Sequence, residues 1–114
     1  MALALNVFKT VTHAVTPNKV GIYTAPVGYS GVVLLAQVAN VDTESHTITF
    51  SHERSVSGTA VTTEIVKDFA IPSNDSANLI SGKLVLESGD KLNITGVGST
   101  GNLKFIASVL ETLN

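Results

Sequence analysis

Residues 94–102 read ITGVGSTGN, and Gly96-Val97-Gly98-Ser99-Thr100-Gly101 within them is a literal G-x-G-x-x-G after an apolar run. That spacing belongs to dinucleotide-binding loops. Such a loop sits between a strand and a helix, whose N-terminus holds the pyrophosphate. An acid about 20 residues further on binds the ribose. Here 13 residues follow Gly101, and the one acid among them, Glu111, stands about ten residues on. No βαβ unit can be completed in that length. The glycines are expected to relax a hairpin loop between the last two strands, with Gly98 at positive φ.

Three histidines raise the question of a metal. His46 and His52 fall on the same face of one extended segment, with Ile48 and Phe50. Six residues of strand span roughly 20 Å, too far for one ion without a bend. His13 belongs to another segment. Both segment-mates are read as polar residues at the rims of an inward face. Asp42, Glu44 and Glu53, or Glu87 and Asp90, could supply paired carboxylates, but acid–base hydrolysis needs two of them at a set separation in a cleft. Glu87-Ser88-Gly89-Asp90 reads instead as a tight turn. No G-x-S-x-G elbow accompanies the serines. With no cysteine, thiolate chemistry, disulfides and Cys-ligated zinc are excluded. The expectation is a noncatalytic chain with no metal and no cofactor.

The elements that would carry these residues are short and extended. Val, Ile and Thr supply nearly a third of the 114 residues, and such side chains suit a pleated surface. Turn formers punctuate the chain at 16–18, 25–31, 40–44, 55–58, 72–75 and 88–90. Strands are expected near 4–14, 20–24, 31–41, 45–53, 60–70, 77–86, 90–95 and 102–112. About eight short strands in one domain, 1–114, predict an all-β antiparallel β-sandwich of jelly-roll type. The run 31–41 is apolar on both faces, with Val33, Leu35 and Ala39 opposing Val32, Leu34 and Val38. In the last segment Leu103, Phe105, Ala107 and Val109 oppose Ile106 and Leu110. The same segment also fits a helical spacing through Leu103, Ile106, Leu110 and Leu113, and a strand is preferred because its neighbours are strands.

Charged residues are only 14% of the chain and the net charge is −2. Soluble domains average about 25%. A balance near neutral offers no electrostatic grip on nucleic acid or an anionic membrane. No run approaches the roughly 18 apolar residues of a membrane helix, and MALALNVFKT lacks the basic start of a signal peptide. A soluble protein without its own export signal is expected. Scarce charge hints at a surface covered by other subunits.

Several stretches together resemble a known family. They are Gly21-Ile22-Tyr23-Thr24-Ala25-Pro26-Val27-Gly28, Gln37-Val38-Ala39-Asn40, Ile71-Pro72-Ser73-Asn74-Asp75, Leu84-Val85-Leu86-Glu87-Ser88-Gly89-Asp90-Lys91-Leu92, and Ala107-Ser108-Val109-Leu110-Glu111. The pattern is similar to small virion structural proteins of tailed bacteriophages, particularly of the T4-like cyanophage type. The resemblance implies a β-sandwich repeated on a particle assembled in the host cytoplasm: a capsid decoration or cement protein, or a neck or tail accessory subunit. It carries over no catalytic residues. A homo-oligomer that also docks on other virion proteins is expected, with Val32, Leu34, Val38, Ile106 and Leu110 as subunit-contact candidates. The alternative is a receptor- or carbohydrate-binding module of a fibre or adsorption device. Tyr29, in the turn at 26–31, would then be its exposed recognition residue.

Overall fold

A computed structural model describes residues 6–97 and 101–113. Every regular element in it is a strand. These are β1 (Asn6–Val15), β2 (Val20–Thr24), β3 (Tyr29–Asn40), β4 (His46–Val56), β5 (Thr59–Ile71), β6 (Ser76–Asn78), β7 (Leu84–Leu86), β8 (Lys91–Val97) and β9 (Leu103–Leu113). One sheet runs β1-β9-β3-β6, with β7 also on β3, and the second runs β2-β8-β4-β5. All pairings are antiparallel. With β6 and β7 counted as one interrupted strand, successive strands before and after the β4–β5 hairpin alternate between the sheets, which is the two-Greek-key wiring of a jelly roll. The expected run at 77–86 is two three-residue strands, β6 and β7, on the same edge of β3, separated by the turn holding Gly82.

Alternation sets the core. Leu103, Phe105, Ala107 and Val109 of β9 face Ile48 and Phe50 of β4 and Leu92 and Ile94 of β8, all buried. The Phe50 and Phe105 rings meet across the sheets at 5.5 Å between centroids, tilted by 36°. Such tilted pairs add to plain area burial. The last segment is therefore a strand, with Ile106 and Leu110 on its outer side.

In β3 the pairing with β9 shifts between Val33 and Leu35, so Leu34 is an extra residue. A bulge of this kind reverses the alternation beyond it. Val33 points inward, Leu34 and Leu35 are both exposed, and Ala36, Val38 and Asn40 point inward. This corrects the expected faces: Val38 is wholly buried in the core, and Leu35 and Ala39 are outside.

Turn chemistry closes the wiring. Ser57 (φ 51°) and Gly58 (φ 81°) form the two-residue connection between Val56 and Thr59. Positive φ at both positions is the turn whose twist matches a hairpin. Gly96, by contrast, lies inside β8 opposite Ile48 and donates its N–H to the Thr16 carbonyl at 2.9 Å. β8 and β9 belong to different sheets, so they do not form the expected hairpin. Gly101 has φ 91°, whereas Gly98 lies outside the described residues.

Candidate interaction face

The two outer surfaces of the sandwich differ in chemistry. On the β2-β8-β4-β5 sheet, Asn93 donates to Glu53 Oε1 at 3.1 Å, and Lys19 and Lys91 flank the same carboxylate at 3.7 and 4.0 Å. Threonines 47, 49 and 95 fill much of the rest. That surface is polar.

The outer side of the β1-β9-β3 sheet is poor in charge. The strand registers place Phe8, Leu110, Val32 and Val85 side by side, one from each of β1, β9, β3 and β7. Phe8 is 75% exposed and Val85 58%. Leu34, Leu35 and Ile106, further along the sheet, are also exposed. Alternation puts Thr10, Thr12, Ala14, Ser108, Gln37 and Ala39 on this side. Among the described residues Lys104 is the one ionisable side chain that these three strands turn outward. At the end of the sheet away from Phe8, a hollow of about 630 Å³ opens between Thr12, Ala14, Gln37, Ala39, Lys104 and Ile106. Four of the five expected contact residues, Val32, Leu34, Ile106 and Leu110, thus share one surface, while Val38 does not. Phe8, Leu35 and Val85 were missed. They became legible only through the register, since each stands in a different segment.

Tyr29 is half-buried where β3 begins, and its N–H bonds to the Pro26 carbonyl at 3.0 Å. This corrects the expectation of an exposed aromatic there; Val27 is the tip of that turn. Tyr23 is turned inward instead. Its hydroxyl donates to Glu111 Oε2 at 2.5 Å, linking the sheets, and Lys9 approaches the other carboxylate oxygen at 3.8 Å. Burial, then the adjoining carboxylate, pushes the Tyr23 hydroxyl well above its ordinary pKa.

Asp42, His46, His52, Glu87 and Asp90 are absorbed by the two ends of the sandwich. At one end Asp90 is buried and accepts four bonds: from Arg54 Nε at 3.1 Å, Arg54 Nη2 at 2.7 Å, His52 Nε2 at 3.0 Å and the Glu87 N–H at 2.9 Å. Glu87 also takes a bond from Arg54 at 3.0 Å, so Glu87 and Asp90 converge on one guanidinium. Arg54 foremost, with His52 and the Glu87 N–H, holds the Asp90 carboxyl down at about 2. At the other end Asn40 donates to the carbonyls of Glu44 and Ile71 at 2.8 and 3.0 Å and accepts the Asp42 N–H at 2.9 Å. Asp42 in turn accepts from His46 at 2.8 Å, Thr43 N–H at 2.7 Å and Asn102 at 3.2 Å. The bond from His46 is the main cause of its lowered pKa. Both networks fasten loops to strands. Among the described residues no three His, Asp or Glu side chains gather as a metal-binding group. His13 Nε2 is buried without a hydrogen-bond partner, and among the described residues it belongs to no such group of three.

No protein-family model and no curated protein matches the chain. Similar solved structures include a chain of the infectious bursal disease virus T13 particle, with a TM-score of 0.58 at 11% identity. That match covers 97% of this chain and 32% of the viral one. A chain of the Gx strain of the same virus gives 0.55 at 13% identity, covering 93% and 31%. This chain therefore spans about a third of the length of those proteins. A Bacillus endospore appendage protein is similar at 18% identity with a TM-score of 0.47, covering 100% and 97%. Identities this low speak to the fold alone, which the two viral chains share.

Proposed function

We propose that the chain is a noncatalytic structural subunit of a virus particle, most specifically a tailed-bacteriophage capsid decoration or cement protein, or a neck or tail accessory subunit. The carrying observation is the charge-poor outer side of the β1-β9-β3 sheet, with its row of Phe8, Leu110, Val32 and Val85. An exposed apolar face of this extent on a chain of 14% charged residues is the expected footing for a neighbouring subunit. The jelly-roll wiring and the likeness to chains of the infectious bursal disease virus particle support the reading. So does the sequence resemblance to small tailed-phage virion proteins.

The subunit works through buried area. Copies assemble symmetrically in the host cytoplasm and seat on other virion proteins, and the contact reinforces a shell or an adaptor ring. Nothing in this role needs a nucleophile or a cofactor. A carbohydrate-binding reading loses its platform, because both tyrosines are at least half withdrawn from solvent.

Quantitative mass spectrometry of purified particles from infected cells is the test. Many copies per virion are expected. A chain abundant in the lysate but absent from washed particles would overturn the assignment.

A further inference from the structure

We infer that the β1-β9-β3 surface pairs with the same surface of a second copy, across a two-fold axis lying in the interface and running across the strands near Ser108. The inference rests on the reading of that surface as a subunit contact and names its partner.

The first argument is shape. The surface has a ridge at one end and a hollow at the other. The ridge is the row Phe8–Leu110–Val32–Val85. The hollow, about 630 Å³, is centred where Thr12, Ala14, Ile106 and Lys104 meet. Along β9 the ridge stands at Leu110 and the hollow near Phe105, so their midpoint falls at Ser108. A two-fold rotation about a line through that midpoint, lying across the strands, reverses the strand direction and turns the surface onto itself. It carries each ridge into its partner's hollow. Because the rotation preserves position across the sheet, β1 lies over the partner's β1, and Phe8 arrives beside Thr12 and Ala14. Lys104 borders that place and can lie against the aromatic ring, a favourable contact for a cation. Strands running antiparallel across such an axis fit the aligned class of sheet packing.

The second argument is charge. An isologous contact sets every group near the axis against its own copy. Charged groups there would repel, and none of the outward residues on either side of Ser108 is ionisable: Thr10, Leu35, Ile106 and Leu110 surround it. Lys104 lies at the far end, where its two-fold mate is distant.

The third argument is area. Three strands of ten to twelve residues, with the short β6 and β7 sharing a fourth position, make a patch of roughly 33 by 19 Å, or about 600 Å² on each copy. Two copies bury roughly 1,200 Å², above the ~1,000 Å² that a specific interface requires and near the lower end of the standard class. The dimer is thus expected to be of moderate affinity.

Sedimentation velocity of the purified chain from about 1 to 100 µM tests this. A concentration-dependent dimer is expected. Phe8→Asp should weaken it at least tenfold with an unchanged melting temperature, since Phe8 is largely exposed in the single chain. Val27→Asp, more exposed still but in the turn before β3, should leave it unchanged. The chain has no cysteine, so engineered thiols report the geometry. A bis-maleimide reaching about 10 Å, the spacing of face-packed sheets, should link Ser108→Cys into a dimer. It should not link Phe8→Cys alone, whose mate lies roughly 13 Å further along the strands, whereas Phe8→Cys with Thr12→Cys should be linked. A monomer at 100 µM overturns the inference. So does a dimer insensitive to Phe8→Asp, a dimer linked by Phe8→Cys alone, or a larger open oligomer. A monomer that needs Phe8 to enter particles assigns the surface to another virion protein. Absence from particles refutes only the virion reading.

Discussion

Asp90→Asn replaces a carboxylate that accepts four hydrogen bonds with an amide of nearly the same size. Asp90 is only 3% exposed, so water cannot fully replace what is lost. Its pKa falls from an ordinary 3.8 to about 2, mainly through Arg54. At ~1.4 kcal/mol per pH unit, the ionised form stabilises the fold by about 2–3 kcal/mol relative to the protonated one. The group's folded pKa is depressed, so this stability is present above pH ~4 and is lost as pH falls toward 2. The variant resembles the protonated acid and should lose about 2–3 kcal/mol at pH 7. For a domain of this size that lowers the melting temperature by roughly 10 °C. Thermal unfolding of both proteins should be followed at pH 7, 5, 3 and 2. The gap should hold from pH 7 to 5, narrow at pH 3 and nearly close at pH 2, because the wild type approaches the variant. A gap that persists undiminished at pH 2 would refute the electrostatic account. Equal melting at pH 7 would refute the claim that the network holds this end of the sandwich.

Other consequences are as direct. Val38→Ala should cost about 2 kcal/mol by opening space in the core, and Leu35→Ala under about 0.5 kcal/mol in the single chain; urea unfolding that reversed this order would remove the bulge at Leu34. Gly58→Val forces a branched residue to φ 81° and should cost about 1–3 kcal/mol by the same measurement. Tyr23→Phe leaves the buried Glu111 with one weaker partner, Lys9, and should lower stability by about 1–2 kcal/mol in differential scanning calorimetry.

What could be read from the sequence follows from how locally each feature is determined. β9 was legible because Leu103, Phe105, Ala107 and Val109 keep strict alternation over a regular ladder with β1. The same rule misplaced Val38, because one extra residue at Leu34 reverses the faces and nothing in GVVLLAQVAN announces where the insertion sits. The run at 77–86 was apolar enough for a single strand, yet Gly82 at φ 86° breaks it. The placing of the glycine-rich stretch as a hairpin failed, because sheet membership depends on pairings far away in the chain. The Asp90 and Glu111 networks were invisible for the same reason: Arg54 stands 36 residues from Asp90, and Tyr23 stands 88 from Glu111. The exposed apolar face was half legible. Val32, Leu34, Ile106 and Leu110 could be guessed from two-sided apolarity, whereas Phe8 and Val85 joined them only through register.

The β4–β5 ribbon carries a last implication. β8 pairs with β4 only from Thr47 to Glu53, so the ribbon continues past the sheet as two strands joined by Ser57 and Gly58. From Thr59 to Glu64 its side chains lie in solvent. Foreign peptide spliced into that tip would hang clear of the greasy interior and, being on the other sheet, would leave the Phe8 ridge untouched. A particle built from such subunits would wear the graft outward once for every copy it holds.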